Sequence, residues 1–114
     1  SVWIDFLRRG NRQLTDLLEA SEALVHPYVV GELACGNLAN RSQILGDMQR
    51  LPAVPVATDS EVLEFIEGRR LMGRGIGYLD AHLLASVQLA DRARLWTRDR
   101  RLAALATELD VSYQ

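Results

Sequence analysis

The chain has 114 residues, 48% of them hydrophobic and 25% charged, which excludes a disordered, collagenous or low-complexity protein and fits a single domain with one core. All 13 basic residues are arginine, so mechanisms built on a catalytic, Schiff-base or P-loop lysine are closed to it. A formal net charge of −2 is not by itself the mark of a nucleic-acid binder, and the single cysteine, Cys35, cannot form an internal disulfide, which leaves the cytosol as the default compartment.

At about 100° per residue Val2, Trp3, Phe6 and Leu7 share one face with Asp5 and Arg9 opposite, which predicts a short amphipathic helix over 2–9. Gly10-Asn11 breaks it, and a second helix is predicted over 13–22 with Leu14, Leu17 and Leu18 inward. Ala23-Leu24-Val25 reads as a buried strand ended by His26-Pro27, where Pro27 suits the first position of a helix over 27–37. A further helix is predicted over 41–50. Ala53-Val54-Pro55-Val56 is extended but only partly paired, because Pro55 cannot donate to a ladder. Thr58 and Glu61 have the spacing of a capping box opening a helix that runs to about residue 72. Gly73, Gly75 and Gly77 form a joint before a helix over 79–90, followed by a strand over 94–97, a helix over 99–109 and a strand over 111–113. Strands separated by helices predict right-handed parallel crossovers, hence an α/β fold with a central parallel sheet covered on both faces. No apolar run approaches the roughly 18 residues of a membrane span, and no internal repeat or linker is visible.

The chemistry shows where charge is missing. From residue 23 to 40 Glu32 is the only formally charged residue, and from 75 to 90 Asp80 is. A carboxylate alone among apolar residues is costly unless it is paired, protonated or bound to a cation. Leu79, Leu83, Leu84, Val87 and Leu89 surround the Asp80 helix on nearly every side, which makes that helix central. Gly31, Cys35 and Gly36 leave room beside Glu32. Each acid also has a plainer reading: Glu32 as a rim carboxylate satisfied by arginine or backbone amides, and Asp80 as a first-turn acid favoured by the helix dipole. Asp99 follows the 94–97 strand, at the carboxyl end where ligands of open α/β sheets gather, yet among Arg98, Arg100 and Arg101 it reads by itself as a structural first-turn acid. His26 is a helix-start residue rather than a base. His82 shares a helical face with Ser86, but a nucleophilic arrangement lacks its third member. Cys35 reads as a small core residue and Trp96 as a core strand residue.

Four short motifs in order carry a resemblance: the opening Ser1-Val2-Trp3-Ile4-Asp5-Phe6-Leu7, then Val30-Gly31-Glu32-Leu33, Leu79-Asp80-Ala81-His82-Leu83-Leu84-Ala85, and Leu95-Trp96-Thr97-Arg98-Asp99. Together they resemble PIN-domain nucleases, and in order and separation the VapC toxins of bacterial toxin-antitoxin systems, over essentially the whole chain. The resemblance implies one three-layer α/β/α domain over 1–114 and a divalent-metal-dependent ribonuclease site of clustered acids. It matches Glu32, Asp80 and Asp99 to three metal-binding acids and Thr97 to a supporting hydroxyl. Oxygen-only ligands imply Mg2+ or Mn2+ rather than zinc, with a metal-activated water attacking the phosphodiester. The partners implied are a small cognate antitoxin, a structured RNA such as transfer or ribosomal RNA, and a second copy in a homodimer, with no membrane. The family's opening motif usually runs Asp-Thr-Ser, and this sequence begins at the serine, so the first acid and first strand are expected upstream and the domain is expected to be N-terminally incomplete. Asp5 does not replace that acid, because it projects away from its helix's apolar face.

Arg8, Arg9, Arg69, Arg70, Arg74, Arg98 and Arg100 are candidates for phosphate contacts, each also readable as a solvated helix residue. Trp3, Phe6 and Leu7, or Leu14, Leu17 and Leu18, offer apolar surface to a partner helix or to the core. A catalytically inactive PIN-like binding module is the alternative function. A phosphoacceptor receiver domain fits poorly, since its strand-end lysine has no counterpart.

Overall fold

Capping side chains decide where most of the helices begin. The computed structural model describes residues 2–113, the Asp5 side chain apart. In it seven helices follow one another: α1 (Val2–Arg9), α2 (Arg12–Glu19), α3 (Pro27–Ala34), α4 (Arg41–Gln49), α5 (Asp59–Arg69), α6 (Tyr78–Leu89) and α7 (Arg100–Glu108). Asn11 starts α2 by accepting from the Leu14 amide at 3.0 Å. His26 starts α3 by accepting at Nδ1 from the Tyr28 amide at 3.1 Å, with Pro27 as first helical residue. The Thr58–Glu61 capping box forms as predicted: the Thr58 amide donates to Glu61 at 2.8 Å, and the Glu61 amide to the Thr58 hydroxyl at 3.1 Å.

Left-handed residues stop two helices earlier than the periodicity suggests. Ser21 has φ 59° and follows the end of α2 at Glu19; Arg70 has φ 54° and ends α5 at Arg69. The predicted outward direction of Asp5 concerns a side chain outside the described residues.

The chain divides into two compact units, Ser1–Val54 and Pro55–Gln114. In the first, Val25, Leu33 and Met48 form a buried cluster against which Trp3, Val30, Ile44 and Leu45 pack, with α3 and α4 in contact. Leu14 is buried as well, while Trp3, which packs on that cluster, is partly exposed. In the second unit α6 is central, as its leucine distribution predicts. Its Ala81 and Ala85 pack with Ala57 and Val62 toward α5, while its Leu84 and Val87 join Leu102, Leu105 and Ala106 of α7. No described helix is long and apolar enough to cross a membrane.

The predicted central parallel sheet, and with it the three-layer α/β/α sandwich, is not what the described residues form: none of them lies in a strand. The extended segments meet in two isolated parallel bridges, Val25 with Ala53 and Leu95 with Ser112. In the first bridge the Val25 amide donates to Pro52 at 2.9 Å and the Val54 amide to Val25 at 3.0 Å. The second mirrors it, with the Leu95 amide donating to Val111 at 2.6 Å and the Tyr113 amide to Leu95 at 2.9 Å. Neither grows into a ladder. Past Val25 the next donor toward Val54 would be the amide of residue 27, which is proline and already the first residue of α3. Past Thr97 the backbone turns into the α7 cap.

Candidate functional site

Asp80 is the third residue of α6, half-buried, in a first turn that follows Gly77. Gly77 supplies no side-chain cap. The first amides of a helix lack intrahelical partners and carry partial positive charge, so a carboxylate there is favoured electrostatically. Asp99 is the N-cap of α7: its Oδ1 accepts from the Leu102 amide at 3.0 Å. Thr97 Oγ1 in turn accepts from the Asp99 amide at 3.1 Å. The hydroxyl therefore fixes the backbone of the acid two residues on, and the acid is held at an exposed helix start.

Glu32 does not stand in the apolar surroundings that the sparse charge around it suggested, and its place is that of the plainer reading, a carboxylate at the surface. On α3 it is exposed, beside the buried Leu33, so the cost of an isolated carboxylate in apolar surroundings does not arise. Cys35, predicted in the core, is also exposed, at the end of α3. Asp80 and Asp99 belong to the second unit and Glu32 to the first. A metal centre of the expected kind needs about three converging donors. Within neither unit do three or more described His, Cys, Asp or Glu side chains form a group that could hold an ion; the three acids matched by the resemblance are divided between the two units.

Around Asp99 the side chains of Arg98, Arg100 and Arg101 are exposed, and Arg8 and Arg9 end α1, where cations complement the helix dipole. Arg74 is committed to Glu108 at 2.8 Å. Trp96 is half-buried and packs on Tyr113, ring centroids 5.3 Å apart. A cavity of about 340 Å³ lies on α5 and α6, lined by Glu61, Phe65, Arg69, Ala85 and Leu89 among others; of the residues singled out in the sequence for function it includes the phosphate-contact candidate Arg69 but none of Glu32, Asp80, Thr97 and Asp99.

Sequence reasoning placed His82 and Ser86 on one face of α6 but missed Tyr78 and the partners that this face meets at the start of α5. Tyr78 Oη donates to Asp59 Oδ1 at 2.7 Å, and His82 Nε2 lies 3.8 Å from the same oxygen. Ser86 Oγ accepts from the Ala57 amide at 3.1 Å. The signal was present: Tyr78, His82 and Ser86 recur every four residues in a helix whose other polar residues are Asp80 and Gln88.

No family model matches the chain, and no solved structure matches it. Among curated proteins, Ribonuclease VapC32 of Mycobacterium tuberculosis, from strains CDC 1551 and H37Rv alike, is 47% identical over 112 residues. The match spans 98% of this chain and 90% of the relative. At that identity and coverage the chain belongs to the VapC family of toxin ribonucleases.

Proposed function

We propose that the chain is an endoribonuclease toxin that cleaves structured RNA, transfer or ribosomal, and is neutralised by a small cognate antitoxin. The observation that carries this reading is the 47% identity to Ribonuclease VapC32 across 98% of the chain. On it Glu32, Asp80 and Asp99 are the site acids and Thr97 supports Asp99. Asp99 suits the part because the Leu102 amide and Thr97 hold it in place, so little freedom remains to be lost when it engages a substrate. Asp80 suits it because the first turn of α6 favours a negative charge. Arg98 and Arg100, exposed beside Asp99, supply planar guanidinium groups matched to phosphodiester oxygens. Carboxylate donors alone suit Mg2+ or Mn2+, and metal dependence is the part of the proposal that a chelator decides. The same reading makes the protein a cytoplasmic homodimer, which light scattering tests.

The deciding experiment incubates the purified full protein with transfer and ribosomal RNA, with Mn2+ or with excess chelator. Cleavage is expected with metal only. Asp80→Asn, which keeps size and removes charge, should lower it by at least about 100-fold with an unchanged melting temperature. Cleavage that persists in chelator overturns the metal dependence. The exposure of Glu32 leaves a second reading open to the same experiment, an inactive PIN-like binding module. RNA or antitoxin binding without cleavage under every condition would decide for it.

A further inference from the structure

Three polar side chains spaced four apart along α6 meet the segment that opens α5. Tyr78 Oη donates to Asp59 Oδ1 at 2.7 Å, His82 Nε2 stands 3.8 Å from that oxygen, and Ser86 Oγ accepts from the Ala57 amide at 3.1 Å. The Tyr78 and His82 rings meet edge to face with centroids 5.7 Å apart. Side chains four apart stack along one helical face, so these contacts form a rail rather than a point. Asp59 is itself held, as the first residue of α5 directly after Thr58 of the capping box. Elsewhere on the α5 side α6 presents the buried Ala81 and Ala85, and Gly77 gives its first turn no side-chain cap.

We propose that Asp59 is a positioning residue for Asp80: anchoring Tyr78 and standing against His82, it sets the rotation of the first turn of α6 and thereby the direction in which the Asp80 carboxylate leaves the helix. At about 100° per residue Asp80 lies about 160° around α6 from the middle of the rail. A rotation of roughly 15° about the axis, acting at about 6 Å, moves that carboxylate by about 1.5 Å. A displacement of about 1 Å at a reacting group is enough to cost orders of magnitude in rate. The link to catalysis rests on the reading of Asp80 as a site acid; the anchoring of α6 does not.

The test uses the full protein carrying Asp59→Ala, Asp59→Asn, Tyr78→Phe, or Tyr78→Phe with Asp59→Ala. The Asp59 side chain is 80% exposed, so its loss leaves the core intact, whereas His82 is only 1% exposed and is left alone. In Asp59→Ala, kcat for RNA cleavage is expected to fall at least about tenfold while KM stays within about twofold. Asp59→Asn, which still accepts from Tyr78, recovers much of the loss. The double variant is no worse than Asp59→Ala, because both changes cut one connection. Exchange of the Ala81 amide, bonded to Gly77 at 3.1 Å, accelerates at least about tenfold, while that of Leu105 in α7 is unchanged. Should Asp59→Ala fail to fold, Tyr78→Phe removes one hydroxyl and gives the same comparison. Wild-type exchange at Ala81 in both single variants overturns the anchor, as do additive losses in the double variant. Faster exchange with unchanged kcat overturns the link to Asp80. A wild-type protein that cleaves no RNA refutes the reading of Asp80, and the exchange rates still decide the anchor.

Discussion

Asp99 has a structural task and a proposed chemical one, and alanine and asparagine at this position separate them. In Asp99→Ala the Leu102 amide loses the acceptor it holds at 3.0 Å. Removing a side-chain cap of this kind costs about 1 kcal/mol. The loss reaches the core, since Leu102 is 3% exposed and packs with Leu84, Leu105 and Val111. With an unfolding entropy of roughly 2.1 cal/mol/K per residue, a chain of this length loses about 4 °C in Tm for each kcal/mol. Asparagine caps a helix about as well as aspartate, so Asp99→Asn is expected to melt within about 1 °C of wild type. Both variants lack the negative charge, and both are expected to lose RNA cleavage by at least about 100-fold. Melting followed by far-ultraviolet circular dichroism, with cleavage of a labelled RNA measured well below both midpoints, reads the two effects independently. If Asp99→Asn melted as low as Asp99→Ala, the cap hydrogen bond would not be what stabilises α7. If Asp99→Asn cleaved RNA at the wild-type rate, Asp99 would not be a site acid.

Two further perturbations test the local physics. Hydrogen bonds from the Thr58 backbone and then its side chain hold the Glu61 carboxyl below its ordinary value of 4.5. A carboxyl depressed in the folded state stabilises above its unfolded value and loses that contribution as pH falls through the folded one. The Tm advantage of wild type over Glu61→Gln is therefore expected at neutral pH and should shrink below about pH 4.5; a difference independent of pH would refute the capping charge. At Gly75, φ is +85° and an added Cβ would meet Arg101 Cδ at 2.7 Å. Gly75→Ala should cost about 1–2 kcal/mol from backbone strain alone, and more with the collision. In urea denaturation Gly75→Ala with Arg101→Ala should recover the collision part only, and full recovery would show that the left-handed backbone costs nothing.

The starts of α2, α3, α5 and α7 were legible because each is encoded within four residues. Asn11, His26, Thr58 with Glu61, and Asp99 each satisfy amides two or three positions on, and such contacts survive whatever the rest of the chain does. Helix ends were less legible. Ser21 and Arg70 adopt left-handed backbone that glycine usually supplies, so no residue type announced those stops. The sheet was misread for a related reason. Short apolar runs between helices have the composition of buried strands, and two pairs of them do meet in parallel. A ladder needs a donor beyond each bridge: beyond Val25 that position is Pro27, and beyond Leu95 the chain turns into the cap of α7 at Asp99.

The acids show where a one-dimensional reading of charge runs out. Glu32 and Asp80 stand in equally charge-poor stretches, but sparse charge does not say which face of a helix a residue occupies. α6 is packed on both sides, against α5 through its alanines and α7 through Leu84 and Val87, so Asp80 is half-buried; on α3 Glu32 faces outward beside the single buried Leu33. The same logic points to a better signal. A buried hydroxyl or imidazole costs free energy unless a partner meets it, so polar residues repeated every four positions in an apolar helix demand a polar partner along that face. Tyr78, His82 and Ser86 make that demand, and Asp59 and the Ala57 amide answer it from 19 and 29 residues upstream of the residues they meet. Asp59 itself is indistinguishable in sequence from an ordinary first-turn acid of α5. The rail was therefore readable from α6, and its anchor only from the folded chain.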